Sequence, residues 1–215
     1  MKRLLIYCEG LTEEIFIEDV LAPYLLQMDI IAIPISAGGV SRYAQIKKDI
    51  ARLCKDSDAM VTTMLDFYGL PSDTPGVKSA MGNIYEMAEH IETAIEADMN
   101  NYNNLFANLI VHEFEGLLFS KTSEFEGTGT SPGARKREIT RLQEIKAAFS
   151  TPEHINNSYD TAPSRRIESI VAGYQKTSDG TQIASRIGID GISAECKHFA
   201  TWVSKIISMA KGEKR

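Results

Sequence analysis

The sequence predicts an α/β fold: a mainly parallel central sheet flanked by helices, with a helical C-terminal extension. Three observations carry that expectation. From Lys2 to Val111, short apolar runs alternate with longer runs of helical period. That alternation implies βαβ crossovers, because parallel strands cannot be joined by tight hairpins. Beyond Val111 the rhythm changes and helical spacing takes over.

The elements follow in chain order. Lys2 to Cys8 is an apolar run suited to a buried strand. Thr12 offers an N-cap hydroxyl to a helix whose apolar positions Ile15, Phe16, Val20, Leu21, Tyr24 and Leu25 share one face, with Pro23 expected to kink it. Ile30 to Ile35 reads as a second strand. After Ala37-Gly38-Gly39, Ser41 is the expected cap of a helix carrying Tyr43, Ile46, Ile50, Leu53 and Cys54 on one side. Met60 to Leu65 reads as strand three. The turn-rich Gly69 to Gly76 then leads to a helix over Ser79 to Asp98, with Ile84, Met87, Ile91 and Ile95 inward and Glu86, Glu89, Glu92 and Glu96 outward. Leu105 to Val111 reads as strand four. Glu126 to Gly133, "EGTGTSPG", is the best candidate for a mobile loop, and a basic helix follows over Ala134 to Phe149. In the C-terminal helix, Phe199, Trp202, Val203, Ile206 and Ile207 form an apolar stripe. With no repeat and no long linker, the expected organisation is an α/β core over 1–120 and a mostly helical extension over 121–215 packed on it, a single domain overall.

Composition bounds the function. The chain has 215 residues, 43% of them hydrophobic and 24% charged. No apolar run approaches the ~18 residues of a membrane span, and the N-terminus lacks a signal-peptide pattern, so the expectation is a cytoplasmic protein with no membrane partner. Cys8, Cys54 and Cys196 are odd in number and far apart, which fits free thiols better than disulfides or a zinc site. Charge is segregated: residues 1–115 carry 8 Lys and Arg against 18 Asp and Glu, and residues 116–215 carry 15 against 11. An acidic half that collects cations and a basic half that meets phosphates suit metal-dependent phosphoryl transfer, although solvated helix faces produce the same counts.

The carboxylates sharpen this. In an open parallel sheet, ligands gather at the carboxyl ends of the strands. Glu9 follows the first strand, Asp66 the third, and Glu113 and Glu115 the fourth. Glu13 falls in the first turn of the next helix, where it can turn back across Gly10 toward Glu9; Gly10 lets the backbone turn sharply. These five acids are enough for one or two Mg²⁺ or Mn²⁺ ions, which prefer oxygen ligands. Acids at a helix start and at strand ends are also favourable without any metal. Three strand ends terminating in carboxylate tilt the balance toward a site.

A Glu-Gly after strand one and an Asp after strand three resemble the Toprim arrangement of bacterial primases, type II topoisomerases and OLD-family nucleases. The spacing of Glu9 and Glu13 looks more like the OLD type. The resemblance implies a Toprim-like fold, with Glu9 as metal ligand or general acid–base and Asp66 as metal ligand. The family's DxD motif is incomplete here, because Tyr68 occupies its second acidic position. Either Glu113 or Glu115 substitutes, or one metal binds well and a second poorly, or catalysis has been lost. Closer still, "CEGLTEEIFIEDVLAPYL", "DFYGLPSDTPG", "VHEFEGLLFS", "PEHINNSYDTAPSRRI" and "IASRIGIDGISAECKHFATW" resemble a bacterial Toprim-like family, domain of unknown function 4276, over nearly the whole chain. That resemblance implies a mobile defence locus, such as phage defence, with an ABC-type ATPase as a partner encoded nearby.

Other landmarks are subordinate. Arg165 and Arg166, at an expected helix start capped by Ser164, are candidates for gripping phosphate, with salt bridges as the plain alternative. Lys176 is a further phosphate candidate, because OLD-type sites resemble this one in placing a basic residue near the metals. Arg135, Lys136 and Arg137 are candidates for a non-specific nucleic-acid contact, DNA or RNA. His112 ranks behind the acids as a ligand or proton shuttle. His198 and Trp202 read as core packing. The sequence lacks GxxxxGK[ST], GxSxG and a Cys/His pairing, and "SAGGVS" matches GxGxxG poorly, which argues against ATP hydrolysis, acyl transfer and dinucleotide binding. Three expectations stand: a metal-dependent nuclease, a catalytically silent nucleic-acid-binding or ATPase-partner module, and a phosphatase acting on small nucleotides.

Overall fold

The computed structural model describes residues 1–39, 42–128, 135–156 and 161–212, without the side chain of Arg135. Ser41, most of the loop expected at Glu126 to Gly133, and the Arg135 side chain therefore lie outside the described residues.

Strand β1 (Lys2–Cys8) is buried from Leu4 to Cys8, and its successive side chains enter opposite cores. Leu4, Ile6 and Cys8 join one apolar cluster; Leu5 and Tyr7 join the other. A strand buried on both faces reads as an unbroken apolar run, and each buried Leu or Ile adds about 1.5–3 kcal/mol.

Helix α1 (Leu11–Phe16) begins after Gly10 rather than Thr12; Thr12 lies inside the helix. The cap is reversed: the Glu13 carboxylate accepts the Gly10 N–H at 3.0 Å. A π turn over Ile17–Leu21 joins it to α2 (Ala22–Leu26), with Pro23 in the first turn. The expected kink takes this form because proline has no N–H to continue the α ladder.

Strand β2 (Ile30–Ser36), helix α3 (Tyr43–Leu53) and strand β3 (Ala59–Asp66) follow. Asp73 accepts the Tyr43 N–H at 3.2 Å, so a distant acid serves the α3 N-terminus. Helix α4 (Ile84–Asp98) starts five residues later than Ser79, because Asn83 and Glu86 form a reciprocal capping box there. The fourth strand is broken into β4 (Leu105–Phe106) and β5 (Leu109–Ile110). Glu96 and Glu92 of α4, expected to face solvent, accept the Ala107 and Leu109 N–H groups at 2.9 and 2.8 Å, which covers this edge of the sheet.

The sheet order is β2-β1-β3-β4, with β5 also on β3, and every pairing is parallel. The mainly parallel sheet flanked by helices is thus as the sequence predicts. The chain leaves β1 toward β2 and then crosses back to β3 on the other side. The topological switch point therefore lies between the carboxyl ends of β1 and β3, where open α/β sheets bind ligands.

The rest of the chain is helical: α5 (Glu115–Leu118), α6 (Arg135–Ala147), α7 (Pro163–Ile170), α8 (Thr181–Glu195) and α9 (Lys197–Ala210). Phe114, Ile167, Ile192, Phe199 and Trp202 close the same cluster as Leu4, Ile6 and Phe16. Trp202 donates its indole N–H to Thr62 at 3.0 Å, which anchors α9 on β3. Cys8, Cys54 and Cys196 are buried free thiols. Among the described residues, no helix is long and apolar enough to cross a membrane.

Candidate functional site

At the switch point Glu9 follows β1 and Asp66 ends β3; the last β1–β3 pair is Cys8 with Met64. Asp66 accepts the Phe114 N–H at 3.1 Å, which ties β3 to the segment after β5. Glu113 accepts the Ser164 N–H at 3.2 Å, a carboxylate at the N-terminal end of α7, where the helix dipole favours it. Glu115 opens α5 with its side chain only 2% exposed, and Lys176 Nζ lies 3.1 Å from its Oε1. Gly69 makes room for Glu9: a Cβ there would lie 2.5 Å from Glu9 Oε2.

The electrostatics bind these residues into one field. Burial pushes Asp66 well above the usual carboxylate range, and Glu13, Glu9, Glu115 and Glu113 push it further. Glu9 is raised by burial and Glu13, against a backbone hydrogen bond at Asp66 and the charge of Lys176. Burial lifts Glu115 to about 7 in spite of Lys176. Burial works against the Lys176 ammonium, but Glu115, Glu113 and Asp66 outweigh it, and its pKa rises. Glu9, Asp66 and Glu115, each raised by burial, thus share the field of the Lys176 ammonium, and a proton or a cation there relieves their repulsion.

The donor chemistry fits a hard divalent cation, because every candidate ligand is a carboxylate oxygen. One oxygen each of Glu13, Asp66, Glu113 and Glu115 is engaged as described above. Among the described residues, no group of three or more Asp, Glu, His or Cys is arranged so that it could hold a metal ion. The acids are gathered, yet they do not form a finished coordination shell.

Two adjoining cavities open here. One of about 420 Å³ is lined by Asp66, Tyr68, Gly69, His112, Glu113 and Lys176 among others. A second of about 260 Å³ shares Glu113, Ala162 and Lys176 and adds Ser164, Arg165 and Glu168. Arg165 forms an ion pair with Glu168 at 3.4 Å on this wall. Arg166 is engaged elsewhere: its Nε donates to the Thr161 carbonyl at 2.6 Å and its guanidinium lies over the Phe149 ring. Lys136 and Arg137 are exposed at the start of α6 and line neither cavity.

His112 takes a left-handed φ of 66°, and burial depresses its pKa to about 4, so it is neutral at pH 7. Its ring stacks on Tyr68, with centroids 5.0 Å apart and planes 9° from parallel. Sequence reasoning missed Gly69, whose role appears only when β3 is laid beside β1. It also missed Glu153, which is buried and accepts hydrogen bonds from Tyr85 Oη and from the His198 and Phe199 N–H groups, all at 3.0 Å. Those donors lie 45 to 68 positions away, and nothing local in "STPEHI" announces them. His198 also meets Glu92 at 2.8 Å, a direct contact between α9 and α4.

Two solved structures are similar. The C-terminal region of the Burkholderia pseudomallei OLD protein shares 18% identity over 96% of this chain and 99% of that one, with a TM-score of 0.45. The C-terminal region of the Xanthomonas campestris pv. campestris OLD protein shares 17% identity over 95% and 97%, with a TM-score of 0.39. No curated protein matches the sequence. A family model matches residues 8–207, from the end of β1 into α9, and the chain belongs to that family, the domain of unknown function DUF4276.

Proposed function

We propose that this protein is a Toprim-like, Mg²⁺- or Mn²⁺-dependent phosphodiesterase that cleaves nucleic acid. The observation that carries the reading is the field at the switch point, where burial and four neighbouring acids raise Asp66. Glu9, Glu13, Asp66, Glu113 and Glu115 would hold the metal. When bound, the ion supplies charge neutralisation at phosphorus and lowers the pKa of water. Glu9, whose proton affinity is raised by burial, would take a proton from the attacking water as oxygen bonds to phosphorus. Lys176 and Arg165, on the shared cavity wall, would balance the charge on the phosphoryl oxygens before the leaving oxygen departs. Incubation with plasmid DNA and with RNA plus Mn²⁺ tests this. Cleavage by the wild type and its loss in Glu9→Ala are expected; no cleavage, or equal cleavage by the variant, overturns it.

A second reading is a catalytically silent module that binds nucleic acid or a partner ATPase in a defence complex. Tyr68 at the second DxD position favours it, as does Lys176, a built-in cation against Glu115. Calorimetry with Mn²⁺ separates the two, because a working site takes up the metal and a relic does not.

A further inference from the structure

Tyr68, in place of the second DxD acid, is 58% exposed on the wall of the cavity that also holds Asp66, Glu113 and Lys176. A single exposed aromatic is ordinary on a protein surface. This one is held in place. One face lies parallel to the His112 ring at 5.0 Å, and the Phe67 ring meets it edge-on at 5.5 Å. Its N–H donates to the His112 carbonyl at 3.3 Å. His112 in turn keeps a left-handed φ of 66°, which is uncommon outside glycine and persists where surrounding contacts impose it. The ring is therefore fixed before any ligand arrives, with its remaining surface turned to solvent at the mouth of a cavity of about 420 Å³. That volume is within the ordinary range for pockets that take small organic groups.

We infer that Tyr68, backed by His112, is a stacking platform for one unpaired base, and that it directs single-stranded nucleic acid to the carboxylates. The inference rests on the nucleic-acid reading above and narrows its substrate. Both faces of a base inside a duplex are covered by its neighbours, so only a strand, a flap or a frayed end can lay a base on a fixed aromatic ring. Stacking on a π-face is indifferent to base identity, so the platform selects strandedness rather than sequence. From the ring, the backbone has a continuous wall through Lys176 to the cavity that holds Arg165.

The test reads binding, without metal, of an oligothymidylate of about 12 nucleotides, of the matching oligouridylate, and of the duplex with oligoadenylate. The single strands should bind more tightly than the duplex. Tyr68→Ala should weaken single-strand binding about tenfold or more and leave the circular dichroism spectrum unchanged, whereas Tyr68→Phe should bind as the wild type does. Tyr68→Trp should bind and show indole quenching as the base stacks, with buried Trp202 as a constant background. Unchanged affinity in Tyr68→Ala, an unquenched Tyr68→Trp, equal duplex binding, or no single-strand binding overturns the inference. Failure of the catalytic reading is distinct: quenching without Mn²⁺-dependent cleavage leaves the platform standing and removes the nuclease. Cleavage that Tyr68→Ala does not alter does the reverse.

Discussion

Lys176 Nζ lies 3.1 Å from Glu115 Oε1, and the two partners are unequally buried: 45% of the lysine side chain is exposed against 2% of the glutamate. The pair is half in water, so its loss should cost less than that of a fully buried one. We expect Lys176→Met to lower stability by about 1–2 kcal/mol in urea titration. Adding Glu115→Gln should restore most of the loss, because the buried charge left behind is then removed.

The raised carboxylates set a sign for the pH dependence. Between the ordinary carboxylate value of 4.5 and about 7, the folded state holds a proton on Glu115 that the unfolded state has released. Stability from this group therefore falls as pH rises through that window, and Asp66 and Glu9 act in the same direction. His112 acts oppositely. Its folded pKa near 4 is below the ordinary 6.5, so its contribution is lost as pH falls between them. Glu115→Gln should raise the melting temperature at pH 8 and have little effect at pH 5, as read by scanning calorimetry.

Divalent cations should compete with those protons. If the acids take Mn²⁺, the ion raises the melting temperature at pH 8 and has a smaller effect at pH 5, where Glu115 holds its proton. Chelator should reverse the shift, and Glu9→Ala should reduce it.

Gly69→Ala separates the site from the fold. The three atoms nearest the new Cβ all belong to the end of the flexible Glu9 side chain, so the carboxylate can swing away at a cost below about 1 kcal/mol. Its displacement should reduce Mn²⁺ affinity or cleavage about tenfold or more while the melting temperature barely moves. Calorimetric titration and a thermal melt on one sample decide the matter.

Glu153→Ala should do the converse. It removes the acceptor for Tyr85 Oη and for two N–H groups at the start of α9. A loss of about 2–4 kcal/mol is expected, with no effect on metal affinity in the protein that remains folded. Glu153→Gln should recover part of it.

The sequence by itself determined the layers of this protein. Apolar runs bounded by turn residues located β1 at Lys2–Cys8 and placed β2 and β3 within a residue or so at each end, because burial on both faces leaves a contiguous signal. It also put Glu9 and Asp66 at the ends of β1 and β3 and Glu113 shortly after β5, since that needs only the strand boundaries, whereas Glu115 opens α5. Features that depend on residues far apart in the chain were left to the tertiary structure. The break between β4 and β5 depends on two α4 glutamates taking strand N–H groups, and the α4 start depends on side-chain geometry at Asn83. The order β2-β1-β3-β4, which sets Glu9 beside Asp66, is a choice among packings that no local pattern encodes. Only that packing turned Tyr68 from a gap in a motif into a ring held against His112, because the stack joins the end of β3 to the segment after β5.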